Sequence, residues 1–190
     1  MVYGLIIAAG FSSRAKGYKM GFIINGKTVL EHAIETMLAF CDEIVVVAGY
    51  EHNKILPITQ AYSRVNLVIN EDYINGMYSS ILKGLSSIVC DRLFILPGDM
   101  PNVHEETYEK LLSSNGRVCV PSFNYKGGHP VLIDGSVLLG KGYMEHTNLK
   151  SYIKSIGITY VDVLDQGILM DVDTQEDYMR IKGVMAYENN

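Results

Sequence analysis

Runs of apolar, β-branched residues alternate with helix-forming segments along the whole chain, and nothing else in the sequence narrows the fold as much. The runs cover residues 3–8, 44–48, 65–69, 93–96, 118–120 and 158–163. Most are apolar on successive positions, so the sheet they form must be covered on both faces, which predicts a mainly parallel α/β sheet beneath helices. The first helix is the most legible. Val29, Leu30, Ala33, Ile34, Met37 and Leu38 recur at helical spacing, and Thr28 with Glu31 three residues on forms a capping box. Further helices are expected over residues 77–88, 103–112, 148–155 and 174–187. A chain of 190 residues has room for one such domain, spanning 1–190, and not comfortably for two. Within it, residues 124–142 are rich in Gly and weakest in periodicity, and read as a lobe inserted over the carboxyl edge of the sheet. That edge is where open α/β sheets bind ligands.

Charge limits what those ligands are. A net charge of −5 and a pI near 5.5 argue against a nucleic-acid partner, which is held by clustered Lys and Arg, so any phosphate recognition must be local. Cys41, Cys90 and Cys119 form no CxxC pair and lie in apolar surroundings, as thiols of a reducing compartment do. The opening MVYGLII carries no basic n-region, and no apolar run reaches the roughly 20 residues of a membrane helix. A cytoplasmic protein without a membrane partner is expected.

The segment after the first run, Ala8-Ala9-Gly10-Phe11-Ser12-Ser13-Arg14-Ala15-Lys16-Gly17-Tyr18-Lys19, mixes small residues with three cations. A nucleoside triphosphate carries about four negative charges, so its site needs backbone N–H groups close to the oxygens and point charges beside them. Ala8, Ala9 and Gly10 permit the approach, and Arg14 and Lys19 supply the charge. A solvated basic loop is the plainer reading of the same composition. Immediately downstream, residues 21–28 match the Walker A pattern GxxxxGK[ST] in full. Context opposes that match, because the string does not leave a buried strand directly and its variable positions include Phe22, Ile23 and Ile24, which demand burial. Asn25-Gly26 reads instead as a tight turn and Thr28 as a helix cap.

Asp99 stands between turn residues in Pro97-Gly98-Asp99-Met100-Pro101, at the end of the fourth run. Mg²⁺ takes one or two carboxylates together with substrate phosphates, so a second acid should join it, and Asp171 and Asp173 are the candidates. The competing reading is that Asp173 or Thr174 only caps the last helix, with Glu176 and Asp177 favouring its positive end. Residues 70–80 bring amides and hydroxyls, Ser80 among them, to the same edge, where they serve either a base or ribose or a helix start. Gly127-Gly128-His129-Pro130 is a rigid turn displaying an imidazole, which is more often structural than catalytic. His32, His52, His104 and His146 show no metal spacing, and the tyrosines are scattered.

Taken together and in order, these segments resemble the MobA-like NTP transferase family, most closely its molybdenum cofactor cytidylyltransferase branch. Residues 7–19 resemble LAAGxSxRMGxxK, residues 76–85 GMxxSLxxGL, residues 97–101 the GDxP turn, residues 128–130 GHP and residues 171–177 DxDTPED. The resemblance implies a Rossmann-like, three-layer nucleotidyltransferase fold that uses Mg²⁺ and an NTP. It carries nucleotide contacts onto Ala8, Ala9, Gly10, Arg14, Lys19 and Ser80, metal contacts onto Asp99 with Asp171 or Asp173, and an acceptor side onto Gly128 and His129. Catalysis falls to Arg14, Lys19 and Asp99. Ala15 and Lys16 replace the signature Met and Gly, and Gln175 replaces a Pro. Ala9 is typical of the cytidylyl branch and points to CTP, whereas Met100 is common among guanylyl relatives. The implied acceptor is molybdenum-bound molybdopterin, with a molybdenum hydroxylase as downstream partner. A sugar phosphate or other small phosphate is the alternative acceptor, and a cofactor chaperone without turnover is the non-enzymatic one.

Overall fold

The computed structural model describes residues 1–11, 15 and 17–188. In chain order, β1 (Val2–Ala8) is followed by a short hairpin of β2 (Ile23–Ile24) and β3 (Lys27–Thr28), then α1 (Val29–Leu38), β4 (Glu43–Ala48), α2 (His52–Gln60), β5 (Val65–Ile69) and α3 (Met77–Leu85). The second half runs β6 (Arg92–Pro97), α4 (Glu105–Leu112), β7 (Val118–Phe123), β8 (Lys126–Gly127), β9 (Val131–Asp134), α5 (Gly135–Leu139), α6 (Leu149–Ile156), β10 (Thr159–Asp162) and α7 (Gln175–Glu188). The sheet has the order β10-β7-β9-β6-β1-β4-β5, with β8 paired to β7. β1 pairs in parallel with both β4 and β6, β4 with β5, and β7 with β10, while β9 runs antiparallel between β6 and β7.

Two-sided burial explains the apolar runs. Leu5 and Ile7 of β1 join a core under α3 and α6 that includes Ile81, Leu85 and Ile153. Ile6 and Ala8 point the other way, into a core with Leu30 and Ile34 of α1 and Tyr108 of α4. Alternate residues of one strand thus serve opposite layers, and the expected three-layer Rossmann-like α/β fold is observed. A third cluster packs Ile181 and Met185 of α7 on Ile24, Val29 and Val172, tying the C-terminal helix to the β2–β3 hairpin.

The GxxxxGKT string is that hairpin. Asn25 and Gly26 both have positive φ, 48° and 84°, as a two-residue turn joining antiparallel strands requires. Thr28 accepts the Glu31 N–H at 3.1 Å while the Glu31 carboxylate accepts the Thr28 N–H at 2.6 Å, which completes the capping box of α1. Ile24 is fully buried.

Residues 124–142 require a correction. They were expected to sit over the carboxyl edge of the sheet, yet β9 lies inside it and supplies Val131, Leu132 and Ile133 to the buried core. Gly127, Gly128 and His129 of this range line two cavities. Two helices also escaped the sequence pattern. α2 contains Pro57, which breaks the helical signal, and α5 is only 5 residues long. Among the described residues no helix is long and apolar enough to cross a membrane.

Candidate active site

Asp99 owes its position to the turn that ends β6. The Gly98 N–H donates to the Ile7 carbonyl at 2.9 Å, and a Cβ on Gly98 would sit 3.1 Å from Ile6 and 3.2 Å from Leu30, so glycine lets the turn lie close against β1 and α1. The Val172 N–H donates to the Asp99 carbonyl at 2.9 Å, which stitches the residues before α7 to the same turn. One oxygen each of Asp99, Asp171 and Asp173 therefore fall within 4.8 Å of one another. The capping alternative resolves cleanly. Thr174 and Asp177 cap α7 reciprocally, at 3.1 Å and 3.0 Å, while Asp173 turns toward the cluster.

Lys19 meets this cluster from the short helical turn Lys19–Gly21. Its Nζ donates to Asp99 Oδ2 and, at 3.0 Å, to Asp173 Oδ1. The residue is only 8% exposed. Burial pulls its pKa down, but the charge of Asp99 and the bonds to Asp99 and Asp173 outweigh burial and leave it raised. Burial, together with the charges of Asp99 and Asp173, holds the Asp171 carboxyl above its ordinary range. The cluster is an all-oxygen donor set suited to a hard divalent cation, and Asp99 Oδ1 is buried with no hydrogen-bond partner among the described residues. The residues present fit such an ion.

Three cavities meet at Met77 and Pro97, which line all of them. One of about 580 Å³ holds Lys19, the three aspartates, Gly10 and His129. A narrower one of about 180 Å³ runs past Ala9, Gly10, Gly76 and Ser80. The third, about 430 Å³, lies beyond Gly128 and His129. Ser80 is buried and its Oγ accepts from Asn70 Nδ2 at 3.0 Å, with Ser79 Oγ accepting from the same nitrogen at 2.9 Å. Asn70 therefore fixes the wall that Ser80 presents.

Gly128 packs where nothing larger fits: a Cβ there would stand 2.2 Å from the Ile168 carbonyl oxygen. The His129 N–H donates to that carbonyl at 3.0 Å. Burial pulls the His129 pKa down, favouring a neutral ring, and its Nδ1 has no partner among the described residues. Ala8 and Ala9 are buried at the end of β1, with Gly10 exposed after them. Arg14 and Lys16 lie outside the described residues, so the structure brings Lys19, Asp99, Asp171 and Asp173 together with Gly10, Ser80, Gly128 and His129 around connected space, and is silent on Arg14.

The tyrosines are less scattered than the sequence suggests. Phe11, Tyr50 and Tyr73, from the ends of β1, β4 and the segment after β5, form a ring cluster with centroids 5.3–6.4 Å apart beside the narrow cavity. Gly49 makes room for it, since a Cβ there would lie 2.5 Å from Tyr73 Cβ. Only the parallel order of the strands reveals that these residues are neighbours.

Residues 4–154 match the MobA-like NTP transferase domain. The chain belongs to the MobA-like NTP transferase family. It is a nucleotidyltransferase of that family, related to enzymes of molybdenum cofactor biosynthesis. It is 28% identical over 180 residues to the molybdenum cofactor cytidylyltransferase of Escherichia coli, covering 94% of each chain. It is also 28% identical over 203 residues to a probable molybdenum cofactor guanylyltransferase of Thermococcus sibiricus, covering 96% of this chain and 98% of the relative. A nucleotidyl transferase from Methanothermobacter superposes with a TM-score of 0.86 at 20% identity over 99% of both chains. A Mycobacterium tuberculosis protein, Rv0371C, solved in complex with manganese, superposes with a TM-score of 0.74 at 20% identity over 96% of this chain and 98% of that one. The two solved structures share the overall fold of this chain.

Proposed function

We propose that this chain transfers a cytidylyl group from CTP to the phosphate of molybdenum-bound molybdopterin, releasing pyrophosphate, with Mg²⁺ as its cation. The observation that carries the reading is the meeting of a buried lysine and three carboxylates in one cavity that shares walls with two others. Asp99 with Asp171 or Asp173 would hold the ion, which when bound supplies positive charge to phosphate oxygens. The narrow cavity past Ala9 and Ser80 takes the nucleotide, and the backbone of Ala8, Ala9 and Gly10 approaches its phosphates. Lys19 and, by resemblance, Arg14 neutralise charge that builds on the departing pyrophosphate.

In the reaction an oxygen of the acceptor phosphate forms a bond to the α-phosphorus as the bond to the bridging oxygen breaks, and pyrophosphate leaves with that electron pair. A phosphate monoester with a second pKa of about 6 is already mostly dianionic at neutral pH, so no side chain need remove a proton. That agrees with a site whose one imidazole, His129, is buried and held neutral. Gly128 and His129 then form the border between the nucleotide and the acceptor.

A GTP-dependent reading competes, favoured by the similarity to the guanylyltransferase relative and by Met100, which lines the same cavity as Lys19 and the three aspartates. The deciding experiment presents the four NTPs with molybdopterin, glucose 1-phosphate and choline phosphate in turn and reads pyrophosphate. CTP with molybdopterin should give the highest rate. A higher rate with GTP replaces the base assignment, turnover on a sugar phosphate alone replaces the acceptor, and none with any pair leaves a cofactor chaperone.

A further inference from the structure

The cavity beyond Gly128 and His129 differs in chemistry from the charged centre it adjoins. It opens between α3 and α6, where Ile81 and Ile153 face each other across Ile95, Val120 and Val131 of the sheet. Few polar groups reach it. Tyr78 Oη already donates to the Tyr143 carbonyl at 2.5 Å and Asn148 Oδ1 accepts the Ser151 N–H at 2.8 Å as the cap of α6, which leaves Tyr160 and the His129 ring. At its outer rim stand Lys150 and Lys154, one helical turn apart on α6, both exposed and neither ion-paired among the described residues. Like charges at that spacing destabilise a helix slightly, and α6 contains no acid to offset them.

These features discriminate among acceptors. A sugar phosphate would bury several hydroxyls against aliphatic walls that cannot bond them, which costs free energy for each group. A choline-like head would carry its positive charge toward two lysines. About 430 Å³ of mostly apolar space suits instead a ring system of roughly bicyclic size. We infer that Lys150 and Lys154 form a second anion subsite, so that the acceptor is a phosphate monoester whose apolar or planar body carries a further anionic group remote from the phosphate. The inference rests on the nucleotidyl-transfer reading for the position of the reacting phosphate, and it names two residues that select the acceptor without touching the reacting atoms.

The test is fluorescence titration of the intact protein with pterin-6-carboxylate and with unsubstituted pterin, for the wild type and the Lys150→Met/Lys154→Met double variant, with Mg·CTP binding measured calorimetrically on both. The wild type should bind the carboxylate at least about tenfold more tightly than pterin, by a margin that shrinks as salt rises. The double variant should lose that margin while its affinity for pterin and for Mg·CTP stays within about twofold. Equal binding of the two probes by the wild type, no saturable binding of either, a margin that survives in the double variant, or displacement of the carboxylate by glucose 1-phosphate each overturns the subsite. Failure of the wild type to bind Mg·CTP counts against the cytidylyl-transfer reading and leaves the probe result to judge the subsite separately.

Discussion

Lys19 and Lys27 stand 8 positions apart, each after a glycine-bearing stretch that could hold phosphate, and their surroundings could hardly differ more. Lys19 is almost wholly buried and pinned between Asp99 and Asp173 where β1 and β6 end. The Lys27 side chain is 50% exposed and pairs with Glu35 along α1. A lysine in a short motif acquires chemistry from the carboxyl edge it reaches and the carboxylates that meet it there. The hairpin at Asn25-Gly26 keeps Lys27 away from that edge.

The largest expected effect comes from breaking the Lys19 cluster. Asp99→Asn preserves shape and one hydrogen bond but removes the charge, and pyrophosphate release should fall by about a hundredfold to a thousandfold with the far-ultraviolet spectrum unchanged. Retention of full turnover would reassign Asp99. Gly128→Ala should destabilise the fold by about 1–3 kcal/mol, because its new Cβ meets the backbone of Ile168, and thermal unfolding with an unshifted midpoint would show that the turn yields freely.

Asp171→Asn works in the opposite direction. Because the folded-state pKa of Asp171 is raised, its ionised form weakens the fold, a penalty absent below the unfolded carboxyl pKa and fully present at neutral pH. The variant should melt roughly 2 °C higher at pH 7, and a lower melting point would mean that repulsion among the three aspartates is already relieved. On the Lys27 side, Glu35 resists protonation: burial pushes its pKa up, but the bonds from Lys27 and Tyr62 bring it below the ordinary 4.5. Its contribution is present above that value and fades as pH falls through the lowered pKa. Glu35→Gln should therefore cost no more than about 0.5 kcal/mol at pH 7, still less near pH 4, and nothing in turnover.

Much of this was legible before any coordinates. Apolar runs gave the strands because both faces are buried, and the Thr28/Glu31 pair marked the start of α1. β9 was hidden because its four residues, pressed between Pro130 and the start of α5, leave too short a pattern, and α2 because Pro57 interrupts it. Asp99, Asp171 and Asp173 could be nominated from their turns. The bonds from Lys19 to partners 80 and 154 residues away could not, since they depend on strand order. The Phe11, Tyr50 and Tyr73 cluster was missed for the same reason.

The most direct test is Mg·CTP affinity for Lys19→Ala and Lys27→Ala, measured by calorimetry in one buffer. Lys19→Ala should bind the triphosphate at least about tenfold more weakly than the wild type, and Lys27→Ala should match the wild type within about twofold. The reverse order would place the triphosphate on residues 21–28 and contradict the site described around Lys19 and Asp99.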